Sequence, residues 1–174
     1  MDESAGETKT RTSRGTAAVD LHLAENRDAS AIARLSKCEI EHGLAWSWTP
    51  ARVLRAIADP QTNVVLAKDA QGLRGFGIMI YREQSAHLCL FAVRPDCRRQ
   101  GLGSALLAWL ERVAQVAGVH RVGLEARHDN AAAIGFYQER GYRKAGVVAG
   151  MYQGVEDGVR LEKWLSSASS AGLQ

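Results

Sequence analysis

The chain has 174 residues, enough for one domain with a buried core, and its 46% hydrophobic and 24% charged content excludes a disordered or fibrous protein. A net charge of +3 gives no reason to expect a nucleic-acid partner, and no apolar run reaches the ~18 residues of a membrane span. Three cysteines, Cys38, Cys89 and Cys97, are odd in number and lack metal-ligand spacing, so reduced thiols in a cytoplasmic protein are expected, with neither a disulfide framework nor a metal site.

Residues 1–18 are rich in Ser, Thr, Gly and charges of both signs and read as a disordered arm. A single domain over 19–165 follows, opening on a short strand where Val19, Leu21 and Leu23 alternate with polar neighbours. Asp28 can cap a helix with Ile32, Leu35 and Ile40 on its apolar face, stopped by Gly43. Thr49-Pro50 opens a second helix carrying Val53, Leu54 and Ile57, and Asp59-Pro60 ends it. Asn63 to Lys68 and Leu73 to Arg82 form a hairpin about the turn at 69–72. His87 to Val93 is nearly all apolar and reads as a strand buried on both faces. Gly101 to Ala117 is a helix with a stripe at Leu102, Leu106, Leu110 and Val113, closed by Gly118. A strand at Val122–Ala126, a helix at Asn130–Arg140 and strands at Tyr142–Val148 and Val159–Leu165 complete the domain, and 166–174 form a flexible tail. This order implies an α/β fold: a mixed, mostly antiparallel sheet of six or seven strands, about four flanking helices and one parallel crossover.

The segment from Val93 to Gly103 joins the buried strand to the longest helix. Small residues there let backbone approach a ligand, and free N–H groups of the first helical turn attract an anion. Arg98 and Arg99 add positive charge, so a pyrophosphate cradle is expected, against an ordinary tight turn with solvated arginines. The nucleotide P-loop pattern is absent, and a dinucleotide fingerprint would require glycine where Leu106 stands.

Two linked motifs resemble those of the GNAT superfamily of N-acetyltransferases, in its RimI-like branch. Phe91-Ala92-Val93-Arg94-Pro95 leads into Arg98-Arg99-Gln100-Gly101-Leu102-Gly103, similar to the family's acetyl-CoA signature. Leu124-Glu125-Ala126-Arg127, Asn130, Ala133, Tyr137, Gly141 and Tyr142 follow at the family's spacing. The resemblance covers about residues 63–165, more loosely 19–62, and implies the GNAT fold. It implies an enzyme that moves acetyl from acetyl-CoA to an amine by direct attack. It places the cofactor's arm along the backbone of Phe91, Ala92 and Val93, and its pyrophosphate on the backbone from Arg98 through Gln100, Gly101, Leu102 and Gly103 to Ser104. Asn130 and Ala133 would border the arm, and Tyr137 would protonate the departing thiolate. Without the motif, Tyr137 reads as a core aromatic.

The resemblance puts a glutamate base six positions before Val93, where this chain has His87. An imidazole with a pKa of roughly 6.5 suits proton removal, although a histidine at a strand start can equally be a surface group. Glu83 is a second candidate, and Glu125 is read as structural. His42, Trp46, Trp48 and Tyr152 are placed on the acceptor site; the alternative, a tryptophan anchoring its loop to the core, is favoured for Trp46. The acceptor is a small-molecule amine or a protein N-terminus, with no nucleic acid and no membrane as partner, and a homodimer is left open. A catalytically weak acetyl-CoA sensor is the alternative function.

Overall fold

The computed structural model describes residues 20–166, so the expected arm at 1–18, Val19 and residues 167–174 lie outside it. Its elements are β1 (Leu21–Leu23), α1 (Ala29–Glu39), α2 (Pro50–Ala58), β2 (Thr62–Asp69), β3 (Gly72–Tyr81), β4 (Ser85–Val93), α3 (Leu102–Val116), β5 (Arg121–Arg127), α4 (Ala131–Gln138), β6 (Arg143–Tyr152) and β7 (Glu156–Trp164), with 3-10 turns at Asn26–Asp28 and Pro95–Cys97. The seven strands lie in the order β1-β2-β3-β4-β5-β7-β6, and only β4 and β5 are parallel. Among the described residues no helix is long and apolar enough to cross a membrane.

Strand alternation divides the interior into two layers. Val65, Met79, Leu88, Val122, Leu124 and Leu161 face Leu102, Leu106, Leu107 and Leu110 of α3 and Ile134 and Tyr137 of α4. Val64, Leu66, Phe76, Ile78, Leu90 and Ala92 face Ile32 and Ala33 of α1 and Val53 of α2. Strand β4 contributes to both layers because of a bulge. Ile78 lies opposite Leu90, but Met79 lies opposite Leu88, so Cys89 has no counterpart. One extra residue reverses the alternation: Ala86 and Leu88 point to the α3 side, Leu90 and Ala92 to the α1 side. The intervening residues of β4 are half-buried, so this strand is less enclosed than its composition suggests.

Local signals held at Thr49, whose hydroxyl accepts the Arg52 N–H, and at Pro50 in the first turn of α2. They failed at Asp28, whose backbone is already helical; its carboxylate turns back to the Glu25 N–H at 2.9 Å and pairs with Lys68. Helix α1 ends at Glu39, well before Gly43. The last hairpin is longer than expected: β6 continues to Tyr152 and β7 begins at Glu156. Its turn places Gln153 at φ 57 and Gly154 at φ 74, with the Val155 N–H bonded to the Tyr152 carbonyl at 3.0 Å. Two positive φ values make a type I′ turn, and glutamine is not a residue that announces one.

Leu110 sits at the centre of the α3 layer with 0% exposure. Leu110→Ala should lower unfolding stability by about 3 kcal/mol, read as a shift of the urea midpoint at unchanged slope.

Candidate active site

The sheet opens where β4 and β5 part. They pair from Ser85 opposite Arg121 to Leu88 opposite Leu124 and no further, although β4 continues to Val93 and β5 to Arg127. The Arg94 N–H bonds the Arg74 carbonyl at 2.8 Å, which makes Val93 and Gly75 a non-hydrogen-bonded pair of the β3–β4 ladder. The N–H groups of Val93 and, two residues earlier, Phe91 therefore point away from β3 into the opening. Helix α3 follows β4 and helix α4 follows β5, so both helix N-termini sit at the end where the strands diverge. This is the crevice at carboxyl ends of parallel strands in which α/β proteins bind ligands, and both helix dipoles favour an anion there.

The expected cradle lies at the start of α3. Gly101, its N-cap, has φ 82, and open space surrounds the position a Cβ would take. Leu102 is buried beneath, Gly103 packs against Phe136, and the Ser104 hydroxyl accepts from Arg140 at 2.6 Å. Arg99 also has a positive φ, 60, and is exposed. The Gln100 side chain bonds the Asp96 carbonyl, so its backbone is what remains for a ligand. Arg98 is exposed but engaged: it donates to the Val93 carbonyl at 3.0 Å and pairs with Glu39 of α1 at 2.5 Å.

Asn130 caps α4, accepting the Ala133 N–H at 3.0 Å. Half-buried Ala133 and Phe136 precede Tyr137, whose ring lies 6.2 Å from that of Phe91, 5.2 Å from Phe136 and 5.6 Å from Tyr142. Tyr137 is only 7% exposed, and its hydroxyl has no hydrogen-bond partner among the described residues. Burial, and then neighbouring Tyr152, raise its pKa far above the ordinary phenol value, so the group stays protonated.

The opposite wall carries His87 of β4 and Glu125 of β5. His87 Nε2 lies 2.9 Å from Glu125 Oε2, and Arg160 Nε lies 3.4 Å from the other oxygen. The His87 hydrogen bond, against the cost of burial and with help from Arg160, holds Glu125 below the usual carboxylate range. Glu125, which the motif marks as structural, lies against the candidate base His87. No sequence spacing linked it to His87, because the contact crosses two strands. Glu83 stands in the exposed turn before β4, at the closed end of the β4–β5 pair, and joins no site residue. Cys89, at the bulge, donates to the His87 carbonyl at 3.6 Å, and burial pushes its thiol up to about 11.

Above this wall runs the loop between α1 and α2. Buried Glu41 accepts N–H bonds from Ser47 at 2.9 Å and Trp48 at 3.2 Å, and the Ser47 hydroxyl. Trp48 is the core anchor, packed on the α1 layer with Arg52 4.1 Å above its ring. Trp46, favoured as the anchor from sequence, is 36% exposed beneath Lys37 and is not one. His42 is exposed. Tyr152 ends β6, and its hydroxyl is pushed up to about 12, first by burial and then by the charge of Glu125.

Because Glu125 is depressed in the folded protein, its contribution to stability is complete above the unfolded glutamate pKa of about 4.3 and is lost as pH falls through the folded value. Glu125→Gln should therefore be less stable than wild type at pH 7. The two denaturation midpoints should draw together as pH falls below the unfolded glutamate value of about 4.3.

Residues 24–142 match the model of the acetyltransferase (GNAT) family. The ribosomal protein bS18-alanine N-acetyltransferase of Escherichia coli K12 is 32% identical over 118 residues, which cover 66% of this chain and 79% of that protein. The crystal structure of the ribosomal-protein-S18-alanine N-acetyltransferase from Escherichia coli superposes with a TM-score of 0.71 at 27% identity, over 89% of this chain and 99% of that one. Ard1 from Thermoplasma volcanium, at 22% identity, shares the fold with a TM-score of 0.77 over 86% of this chain and 99% of that one. The chain belongs to the GNAT acetyltransferase family and is an acetyl-CoA-dependent N-acetyltransferase.

Proposed function

We propose that acetyl-CoA occupies the opening between β4 and β5 and that the acceptor is the α-amine of a protein N-terminus. The observation that carries the first part is the end of β4–β5 pairing at Leu88 and Leu124, beside two helix N-termini. The residues fit the cofactor: unpaired N–H groups at Phe91 and Val93 suit an amide-bearing arm, and the backbone from Arg98 to Ser104 suits a pyrophosphate. Asn130 and Ala133 border the arm. Supporting the second part is the relative that acts on the alanine of ribosomal protein bS18.

Acetyl-CoA supplies an activated thioester. The Glu125–His87 pair takes a proton from the incoming ammonium, directly or through one water, which frees the nitrogen lone pair. Phe91 or Val93 N–H stabilises the carbonyl oxygen as it gains charge. The freed amine forms the C–N bond as the C–S bond breaks. Tyr137 donates its phenolic proton to the departing sulfur and is reprotonated from solvent, while the second proton of the former amine nitrogen and the proton held by Glu125–His87 leave through solvent. Tyr152, Trp46, Trp48 and His42 flank the acceptor side. The ionised Glu125 beside His87 supplies the proton acceptor whose absence from the sequence motif had supported a catalytically weak sensor.

Mass spectrometry of an alanine-initiated peptide incubated with the enzyme and acetyl-CoA should find the α-amine acetylated, and a blocked peptide with an internal lysine unmodified. Acetylation of the lysine alone would overturn the acceptor assignment. Tyr137→Phe should lower kcat by ~10²-fold with little change in acetyl-CoA affinity. Glu125→Gln should depress kcat/KM at every pH, and His87→Ala should alter its acidic limb. Two unchanged profiles would assign proton removal to solvent.

A further inference from the structure

We propose that Arg127 and Gln153 are positioning residues, a two-point clamp that holds the loop at 40–48 over the acceptor side. This rests on the reading above that His42, Trp46 and Trp48 of that loop flank the acceptor side.

Arg127 ends β5, two residues after Glu125, and so presents its side chain on the same face. It is 8% exposed. One terminal nitrogen reaches Glu156 of β7 at 3.0 Å; the other donates to the carbonyls of Ile40 at 3.0 Å and His42 at 2.5 Å. These carbonyls follow the last turn of α1, which has no glycine cap of its own before Gly43. The two terminal nitrogens of this buried guanidinium are met by two separate elements, while its Nε has no partner among the described residues. Its carbon lies 5.9 Å from the ring centroid of Tyr152. One side chain thus fixes the strand carrying Glu125, the loop carrying His42 and the hairpin carrying Tyr152.

Gln153 supplies the second point. Its amide accepts the Ala45 N–H and donates to the Ala45 carbonyl, both at 2.9 Å. It does so from φ 57, a left-handed conformation disfavoured for a non-glycine residue. Asparagine would suit this turn better but is one methylene too short to reach Ala45. His42, Gly43, Ala45, Trp46 and Ser47 are exposed, so between the anchors at Glu41 and Trp48 the segment rests on the contacts made by Arg127 and Gln153.

The discriminating variant is Gln153→Asn, which favours the turn and loses the reach. Steady-state kinetics with an alanine-initiated pentapeptide should show peptide KM raised about tenfold, the effect of two lost neutral hydrogen bonds, with kcat, acetyl-CoA affinity and melting temperature retained. Gln153→Ala should behave alike. Arg127→Met should raise KM further, and Arg127→Lys, which can still pair with Glu156, should recover part of the loss. Amide exchange at residues 42–47 should quicken in each variant while β3 is unaffected. An unchanged peptide KM in both Gln153 variants overturns the clamp. A wild type inactive on the peptide sinks the acceptor reading instead; the clamp then stands on faster exchange at 42–47 and falls if exchange is unaltered.

Discussion

The parting of two parallel strands is the constraint on which the site depends. Cys89 is an extra residue in β4, and a bulge both bends a strand and reverses its alternation. Before the bulge His87 points to the α1 side; after it Phe91 and Val93 point to the α3 side. One strand can therefore offer His87 to Glu125 on one face and Phe91 to Tyr137 on the other. Past Leu88 the strand no longer pairs with β5, and the backbone groups it leaves free are the ones a ligand can take.

The two walls set two carboxyl- and phenol-bearing groups in opposite protonation states. Glu125 is held ionised by His87 and Arg160, whereas Tyr137 is kept neutral among aromatic rings. On the proposed mechanism, separation of this kind by environment would let one site accept a proton and donate another near neutral pH. Arg98 ties the two sides of the protein together, since it reaches both the Val93 carbonyl at the opening and Glu39 at the end of α1.

Much of this was legible in the residue order. Apolar spacing marked α1, α2 and α3, and the linked motifs at Arg98–Gly103 and Leu124–Tyr142 pointed to the family and its cofactor. What escaped was whatever depends on contacts between distant segments. Glu125 looked structural because its partner His87 is 38 positions away. Arg127 and Gln153 meet the 40–48 loop across more than eighty residues. The bulge at Cys89 has no signature in an apolar run, where either phase of alternation fits. The hairpin turn was missed because glutamine occupies a position that asparagine or glycine normally marks, and the anchor was assigned to Trp46 instead of Trp48 because residue type does not say which way the loop is held.

The central claim is that acetyl-CoA completes the edge of β4. Hydrogen-exchange NMR on the amides of β4, with and without saturating acetyl-CoA, tests it most directly. The account predicts that Phe91 and Val93 gain protection on binding. Ala92, whose N–H the alternation of the ladder already turns toward β3, should change little. Unaltered exchange at Phe91 and Val93 under demonstrated saturation would contradict it.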